Sequence, residues 1–135
     1  MPGYTEKHAT SGLQTKLPKL ETFPSQFQNY EISIAYPEFT SICPKTGLPD
    51  FGTLHIQYGP DKSCLELKAL KMYLLAYREV GIFYENLINR VLQDCVKACQ
   101  PTWMVVTGVF NARGGMIGRA RVQHGNVPIT ASLRG

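Results

Sequence analysis

Residues 63–99, SCLELKALKMYLLAYREVGIFYENLINRVLQDCVKAC, contain two consecutive helical patterns, and the fold prediction for this chain starts from them. In the first half, Ser63 followed three residues later by Glu66 is typical of a capping box at a helix start. Apolar residues then recur at helical spacing at Leu70, Tyr73, Leu74 and Tyr77. In the second half, one apolar face is formed by Phe83, Leu87, Val91, Leu92, Cys95 and Cys99. This second helix spans about 18 residues, or roughly 27 Å at ~1.5 Å per residue, and Pro101 stops it.

Strand patterns flank the helical region on both sides. Before it, residues 30–36 alternate apolar and polar side chains and are ended by Pro37, and residues 53–58 alternate again before Gly59-Pro60. After it, residues 103–110 are apolar on both faces, as in a central strand, and residues 116–123 form a last strand beyond an RGG turn.

The order strand, strand, helix, helix, strand, strand predicts an α+β fold. We expect a four-stranded antiparallel sheet with the two helices layered on one face. Such a sheet has an uncovered face and two unpaired edges, and exposed edges are normally paired or protected. The chain is therefore expected to self-associate.

Length and composition favour one globular domain. The chain has 135 residues, with 44% hydrophobic and 18% charged residues, which excludes wholesale disorder. Fourteen Lys and Arg against ten Asp and Glu give a net charge of +4, which suits a phosphate-bearing ligand but is too weak to demand nucleic acid. Residues 1–26 are polar and lack periodicity, so we expect a weakly ordered N-terminal arm, and residues 27–135 form the domain.

The same sequence predicts a cytoplasmic protein with no membrane partner. Its longest apolar run, Met72 to Tyr77, has six residues, whereas a membrane helix needs ~20. The first residues lack the apolar stretch of a signal peptide.

The cysteines differ in their expected tasks. The sequence has four, Cys43, Cys64, Cys95 and Cys99, and without an export signal we expect reduced thiols. There is no Cys-x-x-Cys and no zinc-finger spacing, so no metal is expected, and zinc is possible only if the last three converge. Cys64, at the start of the first helix, and the helical pair Cys95 and Cys99 favour simple burial.

Cys43 lies in a stiff loop, CPKTGLPDFG, seven residues before Asp50. A thiolate attacks an electrophilic carbon, and a nearby acid can supply a proton to the neighbouring atom. Spacing alone leaves a chance pairing open, because such pairs are common.

Helix structure alone can account for several other charged residues. Lys68 and Lys71 point the same way on the first helix. They form either a solvated helix face or, together with Arg113, Arg119 and Arg121, a phosphate-binding patch. Glu66 is the acid that completes the capping box of the first helix. Glu85 lies in the first turn of the second helix, where the helix dipole favours an acidic side chain. Neither G-x-G-x-x-G nor a P-loop motif is present, so any nucleotide cofactor must be held differently.

Four segments, CPKTGLPDFG, LELKALKMYLLAYR, FYEN and RGG, occur in the order and at the separations of one known family. From about Tyr30 to Val122 the chain resembles the NADPH-dependent 7-cyano-7-deazaguanine reductases, the nitrile reductases of queuosine biosynthesis, in their short single-module form. The string ELKALKMY fits the family's cofactor motif at every specified position and distinguishes the chain from an amidine-forming relative. The resemblance implies a tunnelling fold (T-fold) in rings, as a decamer of two stacked pentamers with active sites between subunits.

The resemblance also implies roles for individual residues. Cys43 is the nucleophile that forms a thioimide with the nitrile, and Asp50 is the general acid. Glu85 holds the deazaguanine base, whose pocket is lined by Leu65, Glu66, Leu67 and Tyr84. NADPH is received by Lys68, Lys71, Arg113 and Gly114. No metal and no direct nucleic-acid contact are implied.

Tyr84 departs from the family pattern, because many members have His directly before the glutamate. A tyrosine hydroxyl can replace part of a hydrogen-bonding or proton-relay role. Two alternatives remain: an amidine-forming enzyme of the same fold, which needs no hydride, and a small basic module that binds tRNA.

Overall fold

The computed structural model describes residues 3, 5–111 and 113–129, with only the main chain described at residue 113. Its elements in chain order are α1 (Glu6–Thr10), β1 (Thr22–Pro24), β2 (Ile32–Ile42), β3 (Pro49–Gly59), β4 (Ser63–Leu65), α2 (Leu67–Leu75), a 3₁₀ turn (Ala76–Glu79), α3 (Tyr84–Cys99), β5 (Trp103–Asn111), a 3₁₀ turn (Arg113–Gly115) and β6 (Ile117–Gly125). The four long strands and two long helices follow the predicted order.

The main sheet has the strand order β2-β3-β5-β6, and all neighbouring strands are antiparallel. From residue 52 onward, the even-numbered residues of the central strands are buried, and apolar ones such as Leu54 and Val106 share one core with the apolar faces of α2 and α3. This arrangement confirms the predicted α+β architecture. A second, two-stranded sheet of β1 and β4 was not predicted.

The start of α2 differs from the predicted capping box. Ser63–Leu65 form a strand instead of helix entry, so Ser63 does not cap the helix. Glu66 is itself the N-cap, and its carboxylate accepts hydrogen bonds from the backbone N–H groups of Lys68 at 2.7 Å and Ala69 at 3.0 Å. The prediction was wrong because the pairing partner of β4 lies in β1, far away in the sequence.

Strand β2 continues past Pro37, which was predicted to end it. Between the pairs Tyr36–Leu54 and Phe39–Gly52, β2 carries one residue more than β3, which is a β-bulge. An edge strand tolerates proline at such a place, because one of its sides makes no ladder hydrogen bonds. The two strands therefore stay paired to their tips.

Helix α3 follows the prediction closely. It buries one face, formed by Leu87, Ile88, Val91, Leu92, Cys95 and Cys99. It ends at Gln100, which adopts the left-handed conformation at φ 47° directly before Pro101. Among the described residues, no helix is both long and apolar enough to cross a membrane.

The described part of the arm lies against the domain. Leu13, Leu17 and Leu20 pack against the main core, and β1 pairs with β4. Isolated leucines in a polar segment give no periodic signal, so the sequence did not reveal these contacts. The domain boundary at residue 27 and the weak order of residues 1–26 stay predictions.

Candidate active site

The hairpin loop between β2 and β3 holds Cys43 by its own hydrogen bonds. The Cys43 N–H donates to the Leu48 carbonyl at 2.9 Å, and the Gly47 N–H donates to the Cys43 carbonyl at 2.9 Å. Gly47 has φ +72°, a left-handed conformation that glycine adopts without steric cost. The loop is therefore closed on itself, with the thiol at the tip of the hairpin.

The Cys43 thiol has a lowered pKa. Partial burial acts to raise it, but hydrogen bonds from the Thr46 side chain and from the Thr46 and Lys45 backbone outweigh burial. The nearby charge of Asp50 also acts to raise the pKa of Cys43, and the hydrogen bonds outweigh this effect as well. A thiolate beside a carboxylic acid is the protonation state that addition to a polar multiple bond requires.

The other three cysteines are buried and do not share this environment. Burial raises the pKa of Cys99 to about 11 and raises that of Cys95 as well. Cys64 is buried in β4 rather than at a helix start, which corrects the prediction of its place. The described residues contain no group of three or more His, Cys, Asp or Glu placed to hold a metal ion.

A cavity of about 560 Å³ brings four of the predicted site residues together. These are Cys43, Asp50, Tyr84 and Glu85. Sequence reasoning missed the other lining residues, Ala9, Phe83, Asn86, Phe110 and Asn111. Phe83 and Asn86 belong to the FYEN motif at 83–86, so the motif could have identified them. No local pattern indicated that the arm or the end of β5 lies at this cavity.

The first turn of α3 presents Tyr84 and Glu85 to the cavity. Phe83 is the N-cap and gives no side-chain hydrogen bond to the first turn, so the positive end of the helix dipole is not capped by a side chain. Glu85 is exposed in this turn, where a carboxylate is favoured. An exposed carboxylate can accept two hydrogen bonds from neighbouring N–H donors of one ligand.

Tyr84 is positioned by an aromatic stack and by a glycine. Its ring stacks on Phe110 with centroids 4.6 Å apart and an interplanar angle of 24°. A Cβ at Gly118 would lie 2.4 Å from the Tyr84 hydroxyl oxygen and 3.0 Å from Cζ. Glycine at residue 118 therefore leaves the space that the longer tyrosine needs.

The remaining predicted pocket residues lie at the start of α2 and do not line this cavity. Leu65 is 2% exposed, so its side chain belongs to the core, and its N–H donates to the Tyr58 hydroxyl. Glu66 is half-buried and occupied as the helix cap, whereas Leu67 is 60% exposed. In one chain, α2 and the Cys43 cavity are thus two separate surfaces.

The residues predicted to receive NADPH fit a phosphate-bearing group. Lys68 and Lys71 are exposed and three residues apart on α2, so their ammonium groups share one side. Gly114 has φ +81° and nothing within 4 Å of the place where a Cβ would stand, which lets a phosphate approach the main chain. The side chain of Arg113 lies outside the described part of the chain.

The fold and the cavity together define an α+β protein of the T-fold class, with a thiol of lowered pKa and a carboxyl group lining one cavity. The solved apo structure of an archaeosine synthase, QueF-Like, matches with a TM-score of 0.69 and 22% identity, over 76% of this chain and 100% of its own. At that identity the likeness shows the fold alone.

Sequence comparisons define the family. The model described as QueF-like protein matches residues 49–128. An NADPH-dependent 7-cyano-7-deazaguanine reductase of Elusimicrobium minutum is 56% identical over 115 residues, covering 84% of this chain and 87% of that protein. The reductase of the same name from Chlorobaculum tepidum is 60% identical over 95 residues, covering 70% and 80%. The chain belongs to the QueF-like family.

Thr46→Val tests the cause of the lowered Cys43 pKa. The substitution removes the hydroxyl that hydrogen-bonds the sulfur, so we expect the pKa of Cys43 to rise. The pH dependence of Cys43 alkylation by iodoacetamide, followed by mass spectrometry, measures it. Thr40→Val on β2 is the matched control and leaves the profile unchanged. An unshifted profile in Thr46→Val contradicts this account.

Gly118→Ala tests the fit between Gly118 and Tyr84. We expect overpacking to lower the free energy of unfolding by about 1–3 kcal/mol. In the Tyr84→His background the shorter ring leaves room, and the same substitution costs well under ~1 kcal/mol. Urea unfolding of the four proteins measures this coupling. Gly81→Ala is the control, since its Cβ meets Ser11 Oγ only at 3.6 Å. Equal costs in both backgrounds contradict the proposed fit.

Proposed function

We propose that this chain reduces 7-cyano-7-deazaguanine to 7-aminomethyl-7-deazaguanine with NADPH, as a nitrile reductase of queuosine biosynthesis. The names and the 56% and 60% identities of its relatives support the activity. The observation that carries the chemistry is the convergence of the low-pKa Cys43 thiol with Asp50 in one cavity.

The first step uses the thiol and the acid together. The Cys43 thiolate bonds to the nitrile carbon while Asp50 gives its proton to the nitrile nitrogen, so the triple bond becomes the C=N bond of a thioimide. Without the acid, negative charge would build up on nitrogen. The shared cavity lets one small group meet both side chains.

The later steps return the enzyme to its starting state. Two molecules of NADPH would supply one hydride each for the reduction of the nitrile to an amine, and a second proton is needed when the imine becomes the amine. After the thioimide carbon is reduced, the nitrogen lone pair re-forms C=N as the C–S bond breaks, and the electron pair returns to Cys43 as thiolate. The resulting imine must stay bound until it is reduced, and closure of the cavity by a neighbouring copy would limit its hydrolysis.

Residues in the first turn of α3 bind the base. The exposed Glu85 carboxylate accepts hydrogen bonds from a ring N–H and the exocyclic amine of the deazaguanine. Tyr84, stacked on Phe110, lies beside it and offers a hydroxyl where many relatives are expected to have an imidazole. Leu65, Glu66 and Leu67 line the base pocket in this proposal, Leu65 through its main chain alone.

We infer that a second copy completes the site. The cofactor residues of α2 do not line the Cys43 cavity of their own chain. Strands β2 and β6 are edges of the main sheet, and Phe51, Leu67 and Ile117 are exposed apolar side chains. Edge-to-edge pairing into rings, as a decamer of two stacked pentamers, brings α2 of one copy to the cavity of its neighbour.

We further propose a cytoplasmic enzyme without direct nucleic-acid or membrane contact.

Cys43→Ala tests the covalent mechanism. We expect loss of nitrile-dependent NADPH oxidation by at least about a thousandfold, because the covalent route is removed. The wild type mixed with nitrile alone gains the mass of the nitrile, and Cys43→Ala does not. Cys64→Ala, which alters a buried thiol outside the cavity, keeps both signals.

Three outcomes are decisive for this test. NADPH oxidation by Cys43→Ala would contradict the nucleophile. An adduct on the wild type without NADPH oxidation would favour the amidine-forming alternative. Salt-sensitive tRNA binding without an adduct would favour the basic binding module.

Co-expression of two inactive variants tests whether the site is shared between copies. Cys43→Ala and Lys71→Glu alter different halves of the site, so in randomly mixed rings about one quarter of the sites regain both intact halves. Cys43→Ala with Asp50→Asn alters one half only and regains none. No recovery in size-verified mixed assemblies of the first pair contradicts a shared site.

A further inference from the structure

Residues 5–15, here called the N-terminal strap, form part of the wall of the Cys43 cavity. Ala9, in α1, lines that cavity together with Cys43 and Asp50. The side-chain amide of Asn86, which also lines the cavity, donates a hydrogen bond to the Ala9 carbonyl at 2.6 Å. The strap is therefore bound to the first turn of α3, next to the residues proposed to hold the base.

Beyond α1 the strap makes a close backbone contact with the segment before α3. The Ser11 hydroxyl donates to the Gly81 carbonyl at 2.6 Å. Gly12 has φ +80°, and a Cβ there would lie 2.7 Å from both the Gly81 carbonyl oxygen and Ile82 Cβ. Only glycine permits this approach, so residue 12 fixes the path of the strap.

Arg90 of α3 holds the strap by its main chain. Its two terminal nitrogens donate to the carbonyls of Gly12 and Thr15, and its Nε donates to Asp94 at 3.3 Å. The Arg90 side chain is 12% exposed, and Asp94 also accepts a hydrogen bond from Tyr73 at 2.6 Å. The guanidinium is thus oriented by the domain and directs its remaining donors at the strap.

The Cys43 loop between β2 and β3 also contacts the N-terminal end of the chain. Lys45, two residues after Cys43, donates from Nζ to the Gly3 carbonyl at 3.2 Å. The arm segment therefore bridges the two elements that carry the candidate site, the Cys43 loop and the start of α3. The hydrogen bonds that end on Ala9, Gly12, Thr15 and Gly3 are all accepted by main-chain carbonyls, so the arm supplies none of these acceptors from its side chains.

We propose that the N-terminal strap closes one side of the Cys43 cavity and that Arg90 is the positioning residue that holds it closed. For its effect on the bound nitrile, this inference rests on the proposed function. The strap limits access of water and solutes to the thiol, which protects a bound imine from hydrolysis. Release of the strap opens the cavity locally while the core stays folded.

Arg90→Met and Gly12→Ala release the strap in two independent ways. The first removes the donors to the strap, and the second forces a Cβ against Gly81 and Ile82. In the full-length protein we expect iodoacetamide to alkylate Cys43 about tenfold faster in both variants, since hydrogen bonds from charged donors are lost. The KM for the nitrile rises in both, with kcat changed less.

A control variant and the labelling of the three buried thiols distinguish local opening of the strap from unfolding of the chain. Arg78→Met removes an exposed arginine from the 3₁₀ turn and leaves the Cys43 rate as in the wild type. Cys64, Cys95 and Cys99 are buried and stay unlabelled if only the strap opens.

Two results overturn the inference: an unchanged Cys43 rate in both variants, or simultaneous labelling of all four thiols. Because alkylation needs no turnover, its result stands even where nitrile reduction fails, so failure of the strap and failure of the proposed function are distinguishable.

Discussion

The candidate site depends on β2 and β3 staying paired beyond Pro37. The bulge between Tyr36 and Phe39 absorbs one extra residue, and the ladder then continues to the pair Ile42–Pro49. Cys43 directly follows the last paired residue of β2, and Asp50 lies second in β3. A strand ended at Pro37 would leave thiol and acid in a long loop with no fixed relation to each other.

The loop between β2 and β3 explains why Cys43, rather than one of the other three cysteines, is suited to act as a nucleophile. Cys95 and Cys99 are surrounded by the core, where burial disfavours the thiolate. Cys43 is only half-buried, and donors from Thr46 and Lys45 stabilise its charged form. The difference comes from local hydrogen-bond donors, which a tight turn supplies at no cost to the core.

The predicted site residues lie on two surfaces of the chain, and this separation has a physical basis. The tip of the hairpin and the start of α3 meet at one cavity, whereas the start of α2 is anchored to the small sheet by β4. Since β2 and β6 are the outer strands of the main sheet, the proposed surface between copies and the proposed completion of the site are expected to coincide.

Sequence patterns were sufficient to predict the helix pair, the order of strands and helices along the chain, and the pairing of Cys43 with Asp50 in one loop, because periodicity and short loops are local properties. Its motifs also placed Tyr84 and Glu85 beside that pair. The folded chain was needed to reveal the bulge after Tyr36, the pairing of β1 with β4, and the meeting of Ala9, Phe110 and the Cys43 loop. These features depend on contacts between residues distant in sequence, for which no local pattern exists.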